Sequence, residues 1–116
     1  MKGIYFINDR ISLNGLSKEE SISLQEQSIK NYISDQNIQI VKLNPYQINE
    51  YYTIPHALLY DLKQKKHGFD CFIYYSLQTF EDFIYTYPAK WIILKSFFKD
   101  IIIVEKQNDL NVQKVI

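Results

Sequence analysis

The chain has one cysteine, three glycines and three prolines among its 116 residues, and no excess of charge of either sign. A lone cysteine excludes an internal disulfide and a thiolate metal cluster, and it suits a reducing compartment. Cys71 lies inside the apolar run Cys71-Phe72-Ile73-Tyr74-Tyr75 and so reads as an inert core thiol. Lys+Arg and Asp+Glu number 13 each, which removes the global field that draws a protein to DNA or acidic lipid. No apolar run reaches the length of a membrane span, and the short run after Met1-Lys2-Gly3 is too brief for a signal peptide. A Gly-rich phosphate loop, a Cys/His cluster and a nucleotide-binding fingerprint are all missing. His56 and His67 fall on one expected helix but too far apart along its axis to form a metal pair. The expectation is a cytoplasmic protein with no cofactor, no metal and no membrane attachment.

What the chain does have is aromatic residues, 16% of the total, with Tyr 10 and Phe 7. With 47% hydrophobic and 22% charged residues, it has the composition of a single soluble domain with one core. Ile4 to Ile7 carries no polar residue and reads as a strand covered on both faces. Asn14-Gly15 marks a turn, and Ser17-Lys18-Glu19-Glu20 fits a capping box. Ile22, Ile29, Tyr32 and Ile33 then form a helical stripe, with Gln25 on the same face. An amide there must find partners or face a site, because an unpaired one is costly in a core.

A second strand is expected over Ile38 to Leu43. A helix follows from Pro55, with Leu58, Leu59 and Leu62 inward, lysines at its end and Gly68 as its stop. Phe69 to Tyr75 reads as the third strand, central in the sheet. Gln78 to Tyr87 is helical, Pro88 interrupts it, and helical periodicity resumes from Trp91 to Asp100. Ile101 to Val104 is the fourth strand. The alternation predicts an α/β fold, a three-layer α/β/α sandwich with a mostly parallel central sheet of four or five strands. One domain is expected over residues 1–107, with a polar C-terminal tail over 108–116.

In such sheets ligands bind at the carboxyl ends of the strands. That rule picks out Asn8 to Ser12, Asn44, Ser76 to Asp82 and Glu105-Lys106. The first of these holds an arginine and a hydroxyl two residues apart, Arg10 and Ser12, a pairing suited to phosphodiester chemistry. The serine would attack and the guanidinium would neutralise a phosphate oxygen.

Arg10-Ile11-Ser12, followed by Ser21-Ile22-x-x-Gln25 and Tyr32-Ile33, resembles the opening of the serine recombinase (resolvase/invertase) catalytic domain. Gly68-Phe69-Asp70 is similar to that family's Gly-x-Phe-Asp. The resemblance spans roughly the whole chain in spacing and implies a resolvase-like fold, with Ser12, Arg10 and Gln25 as the catalytic remnant. Where the family carries further arginines, this chain has Ile54, Thr79 and Asp82. Each lost charge donor of that kind costs about 10²–10³ in rate. The family continues into a dimerisation helix and a DNA-binding region, and the resemblance stops short of both.

The resulting expectation is a catalytically degenerate domain that binds a protein partner or itself, with weak or absent DNA binding on its own. The aromatic segments Pro45-Tyr46, Tyr51-Tyr52 and Tyr85-Thr86-Tyr87 would form a contact patch, or else pack on the core with their hydroxyls in water. The alternative is an active serine strand-transferase acting through Ser12 and borrowing Lys63, Lys65 and Lys66. A phosphoacceptor module using Asp9 and Lys106 is a third option, but Tyr75-Ser76-Leu77 offers no aspartate after the third strand.

Overall fold

Ile4-Tyr5-Phe6-Ile7 has no polar side, and in the computed structural model, described for residues 1–107, both of its faces are buried. Ile4 and Phe6 enter one apolar cluster, Tyr5 and Ile7 the other, as the pleat requires. The strand itself, β1, is Lys2–Tyr5. It is followed by a short 3₁₀ turn, helix α1 (Lys18–Gln36), strand β2 (Gln39–Ile40) and helix α2 (Pro55–Lys65). Strand β3 (Phe69–Tyr74), helices α3 (Leu77–Thr86) and α4 (Pro88–Lys95), and strand β4 (Phe98–Ile103) complete the order. The expected tail over 108–116 lies outside the described residues.

The sheet has four strands in the order β2-β1-β3-β4, and every pairing is parallel. Helices flank both faces. α1 covers the face carrying Tyr5, Ile7, Cys71 and Ile73. α2, α3 and α4 supply Leu58, Leu62, Phe80, Phe83 and Leu94 to the other, where Phe72 and Phe80 meet edge-on at 5.2 Å. This is the expected α/β architecture, and it follows from strands too apolar to leave either face wet. Gly3 of β1 packs directly against Cys71 of β3, where a side chain would be crowded. A Cβ there would lie 2.7 Å from Cys71 Sγ.

Local signals hold where a single interaction decides them. Ser17 and Glu20 form the capping box, and Asn14 and Gly15 turn through positive φ. Pro55 and Pro88 each open a helix. Tyr87, placed before Pro88, leaves the helical region and splits α3 from α4.

Three expectations shift. The second strand is two residues long, because Tyr52 takes over beside β1, accepting from Ile7 N–H at 2.9 Å and donating to the Tyr5 carbonyl at 3.0 Å. α2 stops at Lys66 in the left-handed region rather than at Gly68, whose place is beside the Phe97 carbonyl. Helical periodicity misleads from Phe98 onward. Phe69 N–H bonds the Phe97 carbonyl at 2.8 Å and Phe98 stacks on Phe72, so sheet pairing claims that segment as strand.

Burial shapes the titration of the core. It raises the Tyr5 phenol, helped by Glu50, and the Tyr52 phenol, helped by its 2.7 Å bond to Asp61. It pushes Tyr74 up to about 12 and the Cys71 thiol up to about 11. In the unfolded chain these phenols ionise near 10.0. Above that pH the folded state therefore holds more protons than the unfolded one. Their contribution to stability is complete below about pH 10 and lost as pH rises towards the folded-state values. A melting series into alkali should show a falling Tm with these tyrosinates appearing only on unfolding; a flat series would contradict it. Gly3→Ala should cost about 1–3 kcal/mol in urea denaturation, as overpacking does.

Candidate functional site

Asn8 ends the buried run of the first strand, and its peptide is held by a side chain from α1. Gln25 Oε1 accepts the Asn8 N–H at 2.8 Å, and Gln25 Nε2 donates to the Asn8 carbonyl at 2.8 Å. The second Nε2 hydrogen reaches the Ser21 carbonyl at 3.2 Å. Gln25 is 0% exposed. Its burial is tolerable because its amide mimics a neighbouring strand, satisfying a donor and an acceptor that the sheet leaves open.

The Asn8 side chain is equally committed. Oδ1 accepts the Arg10 N–H at 2.9 Å, setting the turn into the loop. Nδ2 donates to the Thr79 carbonyl at 3.1 Å, tying that loop to the first turn of α3. Thr79 Oγ1 in turn donates to the Ser76 carbonyl at 2.6 Å.

Above this network the chain leaves the neighbouring strands β1 and β3 towards opposite sides of the sheet, into α1 and β2 from one and into α3 and β4 from the other. A parallel sheet places its ligand crevice at such a point. The crevice here is a cleft of about 840 Å³ between the Asn8–Ile11 loop, the start of α2 and one face of α3. Gln78, Asp82 and Tyr85 recur at helical spacing along that face. The far wall is aromatic. The His56 ring meets Tyr87 edge-on at 4.6 Å and Phe83 at 5.3 Å.

Comparison with models of protein families, with curated proteins and with solved structures gives no match. The site therefore rests on its own geometry.

The three expected site residues separate. Arg10 lines the cleft and is the single arginine of the chain. Its guanidinium lies 3.4 Å from Asp9 in an exposed pair, worth little in water. Ser12 is exposed, stands outside the cleft lining and takes no capping bond. Gln25 is sealed beneath the floor with its amide already engaged. Ile54, Thr79 and Asp82, distant in sequence, all line the same cleft as Arg10. Lys63, Lys65 and Lys66 sit at the end of α2 away from Pro55, the residue that borders the cleft. Eleven residues of helix put about 16 Å between those ends. Asn44, Glu105 and Lys106 do not line the cleft.

The tyrosines also divide. Tyr52 is buried on Asp61, and Tyr51 packs 5.6 Å from Tyr5. Tyr85 is 68% exposed at the cleft. Sequence reasoning missed His56 as a cleft residue, whereas Gln78 and Glu81 lie within Ser76 to Asp82, the segment the strand-end rule picked out. His56 was not recoverable from the sequence, since only the packing of α2 against α3 brings it there. Among the described residues no three His, Cys, Asp or Glu side chains gather as a metal site. No helix among them is long and apolar enough to cross a membrane.

The Gln25 amide is predicted to act structurally. Gln25→Ala leaves two buried backbone groups of Asn8 without partners, and should lower unfolding free energy by about 2–4 kcal/mol. Urea denaturation measures this, and a loss under about 0.5 kcal/mol, the range of an ordinary surface change, would contradict it.

Proposed function

We propose that this chain is a non-catalytic binding module on a resolvase-like frame, and that its strand-end cleft receives part of a protein partner. The observation that carries this reading is the chemistry of the cleft. Asn8 and Thr79, the polar groups of its floor, are spent on hydrogen bonds within the protein. At the rim, Glu81 and Asp82 stand in no ion pair among the described residues, while the one guanidinium is beside Asp9.

A phosphodiester reaction would need the opposite arrangement, with converging cations to neutralise the developing charge. Carboxylates repel a phosphate instead. Ser12, exposed on its turn, has no base hydrogen-bonded to it among the described residues to take its proton, as an activated nucleophile requires. An aromatic wall with a mixed polar rim suits recognition of a peptide segment, because tyrosines add apolar area at small entropic cost. The resemblance to the recombinase family supports the same reading, since the positions of its missing arginines, Ile54, Thr79 and Asp82, fall together in this cleft.

Incubation with supercoiled plasmid should give neither relaxation nor a covalent protein–DNA adduct, with Ser12→Ala indistinguishable from the parent. A Ser12-dependent adduct would establish the strand-transferase reading instead. Tyr85→Ala should weaken capture of a protein partner while leaving Tm unchanged, because its ring is mostly in solvent.

A further inference from the structure

The cleft has a sign as well as a shape. Along one face of α3, Glu81 and Asp82 line it, and neither is paired among the described residues. Among the described residues, Arg10 is the one lysine or arginine in the lining, and its guanidinium already faces Asp9 at 3.4 Å. Two carboxylates are thus left at a cavity whose lining, on the same helix and just past its end, carries the Tyr85 and Tyr87 rings. Tyr87 shows what such a face accepts, since Lys90 Nζ lies 5.1 Å from its ring centroid. Carboxylates and aromatic faces attract the same kind of ligand group, a lysine ammonium or an arginine guanidinium. The volume, about 840 Å³, exceeds one side chain and admits a short segment. Ile11 and Ile54 border the cleft and offer apolar contact for an aliphatic neighbour of that cation.

We infer that the occupant of the cleft is a basic segment of a protein partner, its lysine or arginine held by the Glu81 and Asp82 carboxylates beside the Tyr85 and Tyr87 rings. This rests on the reading of the cleft as a binding site and adds the chemistry of what binds. Charge complementarity selects this occupant over an acidic or phosphorylated segment, which the same carboxylates would repel.

The test uses the full chain labelled with nitrogen-15 and three short synthetic probes on one leucine–serine host. One carries arginines, one carries citrullines of the same shape without charge, and one carries glutamates. The arginine peptide should shift the amide resonances of Glu81, Asp82 and Tyr87, and citrulline should weaken it by about tenfold. Glu81→Gln with Asp82→Asn should produce a similar loss, and Glu81→Lys with Asp82→Lys should abolish binding. Raising salt should weaken the arginine peptide more than the citrulline one. The four substitutions are on the helix surface, and an unchanged Tm verifies folding. If citrulline or glutamate peptides shift the same amides as strongly as arginine, the charge assignment falls while the cleft remains a binding site. If no peptide shifts them, both readings fall.

Discussion

The structure depends on one bidentate contact, the pairing of the Gln25 amide with the peptide of Asn8. At that point β1 has ended and the sheet no longer satisfies the backbone, yet the chain is still buried. An unpaired N–H and C=O there would cost several kcal/mol in a fold whose whole stability is of the order of 10 kcal/mol. A glutamine carries a donor and an acceptor side by side, so one side chain meets both needs. By doing so it locks α1 to the end of β1, and through the Asn8 side chain it locks both to the first turn of α3. Three layers of the molecule meet at one residue. The cleft lies beside that junction, with Asn8 and Thr79 in its lining.

The same junction shapes what the cleft can do. A catalytic floor keeps donors and acceptors free to meet substrate, whereas Asn8 and Thr79 turn theirs inward. Chemistry is then left to the rim, and the rim is acidic and aromatic. The aromatic richness of the chain follows a similar division. Phe72, Phe80, Tyr74 and Phe98 stack within the core on the α2–α4 face. Tyr85 and Tyr87 remain at the surface beside the cleft, where a ring with a polar edge can meet either water or a partner.

Much of the architecture was legible from local pattern. The apolar runs at Ile4 and Cys71 announced strands buried on both faces. The capping box at Ser17, the proline at 55 and the break at 88 placed helix ends. Legibility failed where two segments compete for the same hydrogen bonds. Tyr52 displaces the second half of the expected second strand, and Phe69 captures Phe97 from what looked like helix. Neither contest leaves a trace in the pattern of either segment alone. For the site, the strand-end rule located Arg10 and the start of α3. It could not tell that Ser12 stands outside the cleft lining, because the path of a loop is decided by bonds such as that from the Arg10 N–H to Asn8 Oδ1 and not by residue spacing.

By itself the sequence determined the alternation of strand and helix, the two-sided burial of the sheet and the absence of a global charge, since each depends only on residue type and spacing. The tertiary structure alone decided that Gln25 is a clamp, that Ser12 stands apart, and that His56, Glu81 and Tyr87 share one cleft. Those facts depend on which distant backbone groups are left unpaired when the layers close, and that quantity does not exist until the chain has folded.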